Sequence, residues 1–330
     1  MQIDLRTVAI PPQRQTFTHV AARLGADKPA SRYQEATWDV QADANFHYRP
    51  TWDPDHEIFD PSRTRLVMKD WYAFKDPRQY YYATYTIARS RMQETSEADF
   101  EFVEKRGLAD SFAPAAKQKA LDVLVPLRHV AWGANMNNSS ICAYGYGTTF
   151  TAPCIFQAMD DLGIAQYLTR VGLLLGDVET LDDAKSAWLS SPVWQGLRRY
   201  VEDTLVVTDP FELWVAQNLV LDGLLYPLVY EKFDAALTAE AGPTVSMLLR
   251  FQVDWFAETS KWVDATSKTA AGESAANAAL LGEWVRTWRD RAVEALGPVA
   301  ELALGTDGAA ALADVRSTLD ARAAKCGVAL

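Results

Sequence analysis

The 330-residue sequence has few of the residues that bind transition metals or form disulfide bonds, with only four histidines and three cysteines. Cys142, Cys154 and Cys326 are widely spaced, and none belongs to a C-x-x-C pair. We therefore expect buried thiols and no disulfide framework. The residues three places before the four histidines are Thr16, Ala44, Asp53 and Pro126. The Glu-x-x-His motif that binds iron in four-helix carboxylate proteins is therefore absent.

The chain also lacks an excess of positive charge, because 32 basic residues face 43 acidic ones and the net charge is −11. A negative chain without a Lys/Arg cluster is a poor partner for nucleic acid. No run of eighteen apolar residues occurs, and the first six residues lack the apolar core of a secretion signal. These absences predict a cytoplasmic protein that binds neither membranes nor nucleic acid.

Motifs for phosphate binding and nucleophilic catalysis are missing as well. There is no G-x-S-x-G, no Walker loop and no G-x-G-x-x-G, and Tyr144-Gly145-Tyr146-Gly147 is an isolated G-x-G. The pair Asp160-Asp161 begins like the magnesium-binding DDxxD motif, but its fifth position is Ile164. Neither pattern predicts a ligand site.

Two other groups of charged residues are weak candidates for chemistry. Asp53 and His56 are three residues apart, but Pro54 argues against a helix that would project them together, so we interpret them as part of a surface loop. Asp254, Glu258 and Lys261 lie on one face of a predicted helix and could act as acid and base. Ordinary exposed helical charges explain them more simply.

Three- and four-residue spacing of apolar residues predicts helices along most of the chain, and no alternating strand pattern occurs. Residues 114–175 are interpreted as two long buried helices, and 211–233 with 244–265 as a second antiparallel pair. Alanine-rich residues 271–330 predict peripheral helices over about 275–296 and 308–324. We predict helix starts at or near Asp76-Pro77, Ala113-Pro114, Ser191-Pro192, Asp209-Pro210, Gly242-Pro243 and Gly297-Pro298. The fold class is therefore all-α, a helical bundle within residues 71–330.

Small residues between 131 and 147 predict closely packed helices with little surface exposed to water. Buried amides need partners, so Asn135, Asn137 and Asn138 are expected to bridge helices or to mark a helix junction. Four tyrosines open the helix expected after Asp76-Pro77, and packing explains them more simply than a cofactor site does. They are Tyr80, Tyr81, Tyr82 and Tyr85.

Residues 1–70 differ from the rest because prolines and aromatic residues alternate there with little helical periodicity. Only 16–24 shows a short helical pattern. A long irregular stretch is uncommon in a compact domain, and its aromatic content argues against solvated disorder. We predict an extended arm that lies on a surface, either its own or that of a partner.

Several long strings resemble one family, the β chains of the oxygenase component in bacterial multicomponent phenol hydroxylases, within the soluble diiron monooxygenases. The resemblance extends over the whole chain. The strings include MQIDLRTVAIPPQRQTFTHVAARLG, VMKDWYAFKDPRQYYYATYTIARSR, WGANMNNSSICAYGYGTTFTAPC and LVLDGLLYPLVYEKFD.

The resemblance implies a ferritin-like bundle that pairs with a catalytic α chain and a small γ chain in an α2β2γ2 assembly. The α chain would hold the diiron centre and hydroxylate phenol to catechol, with electrons from NAD(P)H through a flavin and iron–sulfur reductase and with a regulatory protein. Aligned with the ligand helices of α, the ligand positions fall near Ala134, Ile164, Tyr167, Leu221, Trp255 and Glu258. Only Glu258 could bind metal, so no catalytic, cofactor-binding or metal-binding residue is assigned here.

Three alternatives remain at this point. The chain could be the β subunit of a related toluene or other aromatic monooxygenase, because those enzymes contain similar chains. It could be an active diiron oxygenase, although the missing ligands oppose this. It could also be a helical module that binds a small aromatic molecule.

Overall fold

The computed structural model describes residues 17–25, 28–42 and 47–330, and every regular element within them is helical, which confirms the all-α class. The helices, in chain order, are α1 (Thr18–Leu24), α2 (Arg32–Thr37), α3 (Tyr82–Lys105), α4 (Leu108–Ser111), α5 (Pro114–Leu124), α6 (Leu127–Tyr144), α7 (Thr148–Leu175), α8 (Val178–Ser190), α9 (Pro192–Thr204), α10 (Pro210–Trp214), α11 (Asp222–Tyr226), α12 (Asp234–Ala241), α13 (Thr244–Leu248), α14 (Arg250–Glu273), α15 (Ala275–Leu304) and α16 (Gly308–Lys325). Two π-helical stretches, Val215–Leu221 and Pro227–Phe233, join α10, α11 and α12 into one continuous helix.

Two helix pairs form the centre of the bundle. The hairpin of α6 and α7 packs against the continuous helix of α10 to α12 and against α14. Buried polar side chains connect the pairs: Asn137 on α6 donates to Gln217 Oε1 at 2.9 Å, and the Thr259 hydroxyl on α14 donates to Gln157 Oε1 on α7 at 2.8 Å. The predicted helix over 211–233 is therefore confirmed, whereas 244–265 is helical but divided at Leu249 between α13 and α14.

Residues 114–175 contain three helices, so the prediction of two was wrong. Pro126, which has no N–H to donate, separates α5 from α6. Gly147 separates α6 from α7 with φ +82°, and a Cβ there would lie 2.9 Å from Trp71 Cβ. Pro153 lies within α7 and not before its first residue.

Most proline-marked helix starts are confirmed, and two are wrong. Pro114, Pro192 and Pro210 each occupy the first turn of a helix. Pro298 lies inside α15. Asp76 caps a turn through the N–H of Arg78, so α3 begins only at Tyr82.

The expectation that residues 131–147 have little exposed surface was also wrong. Trp132 is 52% exposed and Met136 is 36% exposed. Small residues face the interior instead: a Cβ at Gly133 would lie 2.4 Å from Val201 Cγ1. The small residues and the large apolar residues of this segment therefore lie on opposite faces of α6.

Large aromatic side chains fill the core around α14. Trp214, Trp255 and Trp262 are fully buried, and the rings of Trp214 and Trp262 meet edge to face with centroids 5.9 Å apart. Each buried aromatic ring removes about 150–250 Å² from water, which makes it a large contribution to the hydrophobic core. Helix α15 adds the fully buried Leu281 and Leu296 to the same core, so the C-terminal helices are packed against the bundle.

The described part of the N-terminal region contacts the bundle. Helix α2 was not predicted, and Ser31 caps it by accepting a hydrogen bond from the N–H of Gln34. The Tyr33 hydroxyl accepts from the Asp76 N–H at 3.0 Å, and the Thr148 hydroxyl on α7 donates to the Thr37 carbonyl at 2.6 Å. The remainder of the predicted arm, residues 1–16, 26–27 and 43–46, lies outside the described residues.

All three cysteines are free thiols. Cys154 and Cys326 are buried as expected, whereas Cys142 is half-buried. Burial raises the pKa of Cys154 well above its usual value, which makes this thiol unreactive. Within the described part of the chain, no helix is long and apolar enough to cross a membrane.

Candidate functional site

The positions that the family resemblance places near the iron ligands of α are mostly apolar in the structure. Ala134, Ile164, Leu221 and Trp255 are buried in the bundle. Tyr167 is half-buried and its ring packs on Phe251, with centroids 5.0 Å apart. None of these five side chains has a carboxylate or imidazole to offer a metal.

A buried ion pair lies beside these positions. The Arg89 guanidinium on α3 donates to both carboxylate oxygens of Asp160 on α7, through Nε at 2.7 Å and Nη2 at 2.8 Å. The Tyr85 hydroxyl at 2.8 Å and Trp255 Nε1 at 3.0 Å donate to the same carboxylate. Four hydrogen bonds thus satisfy a carboxylate that would otherwise be costly to bury.

Glu258 extends this pair into a network, so its interpretation as an ordinary exposed charge was wrong. Its carboxylate accepts from Arg89 Nη2 at 2.9 Å and lies 3.9 Å from Arg78 Nη1. Burial by itself would raise the pKa of Glu258, but the hydrogen bonds and charge of Arg89 outweigh burial and hold the pKa below its usual value. Asp254 and Lys261, in contrast, are exposed. We call Arg78, Arg89, Asp160 and Glu258 the arginine network.

Some of the tyrosines at and just before the start of α3 are buried, and one is exposed. Tyr80 and Tyr85 are buried against the arginine network, with the Arg89 guanidinium carbon 5.4 Å from each ring centroid. Burial raises the pKa of both phenols, so they remain protonated donors. Tyr82 is exposed, so packing within this chain does not account for it.

Amides and two carboxyl groups make a second polar cluster, deeper in the bundle. Asn138 on α6 donates to Asp161 Oδ2 on α7 at 2.9 Å, and Gln217 donates to Asp222 Oδ1 at 2.9 Å. Asn218 donates to Asn138 Oδ1 at 2.9 Å, which joins the first π-helical stretch to α6. The expected bridging by asparagine is confirmed, because Asn135 also donates across the hairpin to the Ala158 carbonyl. We call Asn138, Asp161, Gln217, Asn218 and Asp222 the amide cluster.

The two carboxyl groups of the amide cluster favour protonated forms. Burial is the main cause, and it raises the pKa of Asp222 to about 7 and that of Asp161 well above its usual value. Repulsion between the two carboxylates adds to the effect at Asp161. In contrast to Asp160, neither group has an arginine within hydrogen-bonding distance among the described residues.

Neither cluster supplies a metal site in the described part of the chain. No three His, Cys, Asp or Glu side chains gather there in a way that could hold a metal ion. In the arginine network, guanidinium groups occupy the space next to the carboxylates. In the amide cluster, only two carboxyl groups are present, and the remaining groups are neutral amides. The arrangement is suited to joining helices.

Asp53 and His56 lie in a loop, as predicted. Asp53 and His56 are in contact, with Nδ1 2.9 Å from Asp53 Oδ1, although no regular helix holds them. Arg63 also donates to Asp53, at 2.6 Å, so this carboxylate is already paired. The isolated G-x-G of Tyr144 to Gly147 forms the turn between α6 and α7, and Gly147 is the N-cap residue of α7.

Sequence reasoning missed Arg89 and Asp222. Arg89 has a usable signal, because it is one turn after Tyr85 and one turn before Met92, on the buried face of α3. For Asp222 the sequence gives only a weak indication of a buried polar role, because it is a single charged residue in an apolar run. Its role depends on the π-helical stretches that set which side chains face α6.

Comparison with known proteins identifies the family. The family model described as methane/phenol/alkene hydroxylase matches residues 52–274. The phenol 2-monooxygenase oxygenase component DmpL of Pseudomonas sp. (strain CF600) is 51% identical over 330 residues, which cover 99% of this chain and 98% of that protein. The β subunit of the toluene-4-monooxygenase hydroxylase of Ectopseudomonas mendocina is 23% identical, over 79% of this chain and 80% of that protein.

A solved structure extends this result to the fold. The crystal structure of xenon-pressurized phenol hydroxylase from Pseudomonas sp. OX1 superposes with a TM-score of 0.91 and 46% identity, covering 97% of each chain. The predicted ferritin-like bundle is thereby confirmed. The chain belongs to the methane, phenol and alkene hydroxylase family, as an oxygenase component of the phenol hydroxylase type.

Proposed function

We propose that this chain is the metal-free, non-catalytic β subunit of a phenol hydroxylase. Its role is to hold a diiron α subunit and a small γ subunit in an α2β2γ2 oxygenase. The α subunit would bind dioxygen and convert phenol to catechol. A flavin and iron–sulfur reductase would deliver electrons from NAD(P)H, and a regulatory protein would complete the system.

The arginine network is the observation that carries this proposal. Two irons in a helical bundle need several carboxylates and two histidines that are free to bind them. Here Asp160 and Glu258 are bound to Arg89, and the aligned positions Ala134 and Leu221 have no donor atoms. The network joins α3, α7 and α14 where a metal centre would otherwise join helices.

An uncharged stripe on α6 and α7 supports the assignment of a partner. Its exposed apolar side chains are Trp132, Met136, Ile155, Met159 and Leu162. At a rise of about 1.5 Å per residue, the stripe extends roughly 6 Å along α6 and roughly 10 Å along α7, and two helix widths make it roughly 20 Å wide. Apolar side chains that are exposed together on one surface are typical of a site that binds a partner protein. We assign the stripe to contact with α.

We also propose that residues 1–70 form an arm for assembly. Among the described residues of this region, Tyr48 and Val67 are strongly exposed. Exposed aromatic and aliphatic side chains on an irregular segment are suited to pockets on a partner. Deletion of residues 1–60 should prevent stable association with α and γ while the rest of the chain remains helical by circular dichroism. Full assembly of the shortened chain would contradict the arm.

Co-expression with and without the α and γ genes tests the proposed role. We expect iron, measured by mass spectrometry of the purified protein, to follow α and to be absent from the isolated chain. The assembled oxygenase should contain equal numbers of the three subunits. Two tightly bound irons in the isolated chain would contradict a metal-free role and support an active diiron oxygenase.

A further inference from the structure

A cavity of about 640 Å³ lies between the loop around Trp52, the end of α6 and the segment 205–213. Its walls combine the rings of Trp52 and Tyr144 with the aliphatic side chains of Val206 and Leu213. His56 adds one imidazole to this lining. The volume lies within the range of small-molecule sites, which combine apolar walls with a few polar groups.

The aromatic walls are held in place by Arg63. Its guanidinium carbon lies 5.5 Å from the Trp52 centroid and 5.7 Å from the Tyr144 centroid, and the two rings meet edge to face at 4.9 Å. The Arg63 side chain is only 5% exposed, and it donates to Asp53 Oδ2 at 2.6 Å and to the Glu57 carbonyl at 2.9 Å. Because its charge is already paired with Asp53, the lining favours a neutral ligand over an anion.

His56 supplies a directed polar group. A carboxylate only accepts hydrogen bonds, so the contact between Asp53 and Nδ1 requires the proton on Nδ1. In the neutral imidazole, Nε2 then has a free lone pair. No hydrogen bond from a described residue reaches Nε2. Nε2 is therefore available as an acceptor on a residue that lines the cavity.

We propose that this cavity binds a neutral single-ring aromatic alcohol. The ring lies against Trp52, Tyr144 and Leu213, and the hydroxyl donates to His56 Nε2. A ring without a hydroxyl would keep the apolar contacts and lose the hydrogen bond. An aliphatic alcohol would keep the hydrogen bond and lose the contacts with the aromatic walls.

Equilibrium dialysis with radiolabelled phenol tests this site, using the full-length chain alone and in the assembled oxygenase without reductant. We expect one phenol per copy of this chain that is lost in Trp52→Ala and in His56→Ala. Anisole, which has no hydroxyl proton, should compete about tenfold less well than phenol for this site. Tyr82→Ala is the matched control, because Tyr82 is an exposed aromatic residue outside the cavity, and it should bind phenol as the wild-type chain does.

Crystallography of the wild-type oxygenase provides a second test, which does not depend on whether the variants fold. In crystals of the wild-type oxygenase soaked with 4-bromophenol, the anomalous bromine peak should lie between Trp52 and Leu213. Wild-type stoichiometry in both cavity variants, or a soaked crystal without this peak, would overturn the proposal. Either result would leave the metal-free role intact, because iron content is measured separately.

Discussion

Arg89 on α3 and Asp160 on α7 form a two-point ion pair, with Nε and Nη2 of the arginine 2.7 and 2.8 Å from the two carboxylate oxygens. The Asp160 side chain is 2% exposed and that of Arg89 is 10% exposed. Removing one member of such a pair leaves an unpaired charge in the interior. The contact thus joins α3 to α7 through a buried ion pair.

Arg89→Ala should lower the free energy of unfolding by about 3–5 kcal/mol, because Asp160 and Glu258 both lose their main partner. Urea denaturation measures this change. The control is Arg170→Ala, whose ion pair with Glu97 is much more exposed, and it should cost less than about 1 kcal/mol. Equal effects of the two substitutions would show that the Arg89 pair contributes no more than a surface pair.

Asp222→Asn should stabilise the chain increasingly as the pH rises from 5 to 8. The folded pKa of about 7 lies above the unfolded value near 3.8, so the folded state binds the extra proton between these values. The stability of the wild-type chain therefore falls as pH rises through this window, by up to about 4 kcal/mol, and is constant above it. Asparagine stays neutral and can still accept the hydrogen bond from Gln217.

Urea denaturation of wild type and Asp222→Asn at several pH values measures this difference. Arg322 lowers the pKa of Asp222 by its charge, although burial has the larger effect. Asp314→Asn is a suitable control because Asp314 is exposed. Parallel stability curves for wild type and Asp222→Asn would mean that Asp222 is charged in the folded chain near neutral pH.

Ala134→Glu should destabilise the chain by several kcal/mol, because Ala134 is buried on α6 and a new carboxyl group there must either lose its hydration or take up a proton. Thermal and urea unfolding measure the change. Ala143→Glu on the exposed side of the same helix is the control and should change stability by less than about 0.5 kcal/mol. An unchanged midpoint for Ala134→Glu would show that the position is accessible to water.

Met159→Glu should weaken association with the α subunit, because it places a charge in the middle of the uncharged stripe. Loss of a central contact of this kind costs about 2 kcal/mol or more, which corresponds to roughly a thirtyfold change in affinity. Co-purification and analytical ultracentrifugation measure assembly. Leu189→Glu on α8 is the control, because Leu189 is exposed away from the stripe. Normal assembly of Met159→Glu would place α on another face.

Helix positions could be predicted well where local signals agree. Pro114, Pro192 and Pro210 marked true helix starts because proline at a first turn loses no hydrogen bond. The same signal failed at Pro298, where the packing of α15 in the core maintains the helix across the proline. Asp76 failed for a related reason, because a capped turn and a helix start share the same local chemistry.

The polar centre could be predicted only in part. The asparagines of α6 were expected to bridge helices, since a buried amide needs a partner. Which partner each would find could not be read from spacing, because Gln217 and Asn218 are about 80 residues away along the chain. Glu258 was misjudged for the same reason: its helix suggested an exposed charge, and only α3 supplies the arginine that binds it.

Neighbouring residues and long strings of letters were enough to predict the all-α class, most helix starts and the resemblance to phenol hydroxylase β chains, and to establish the absence of Glu-x-x-His. The folded chain was needed to show that Arg89 pairs with Asp160, that Asp161 and Asp222 share a buried cluster, and that Trp52, His56 and Tyr144 line one cavity. These relationships join residues from distant segments. Their energies depend on burial and on distances of a few ångströms, which the folded chain alone establishes.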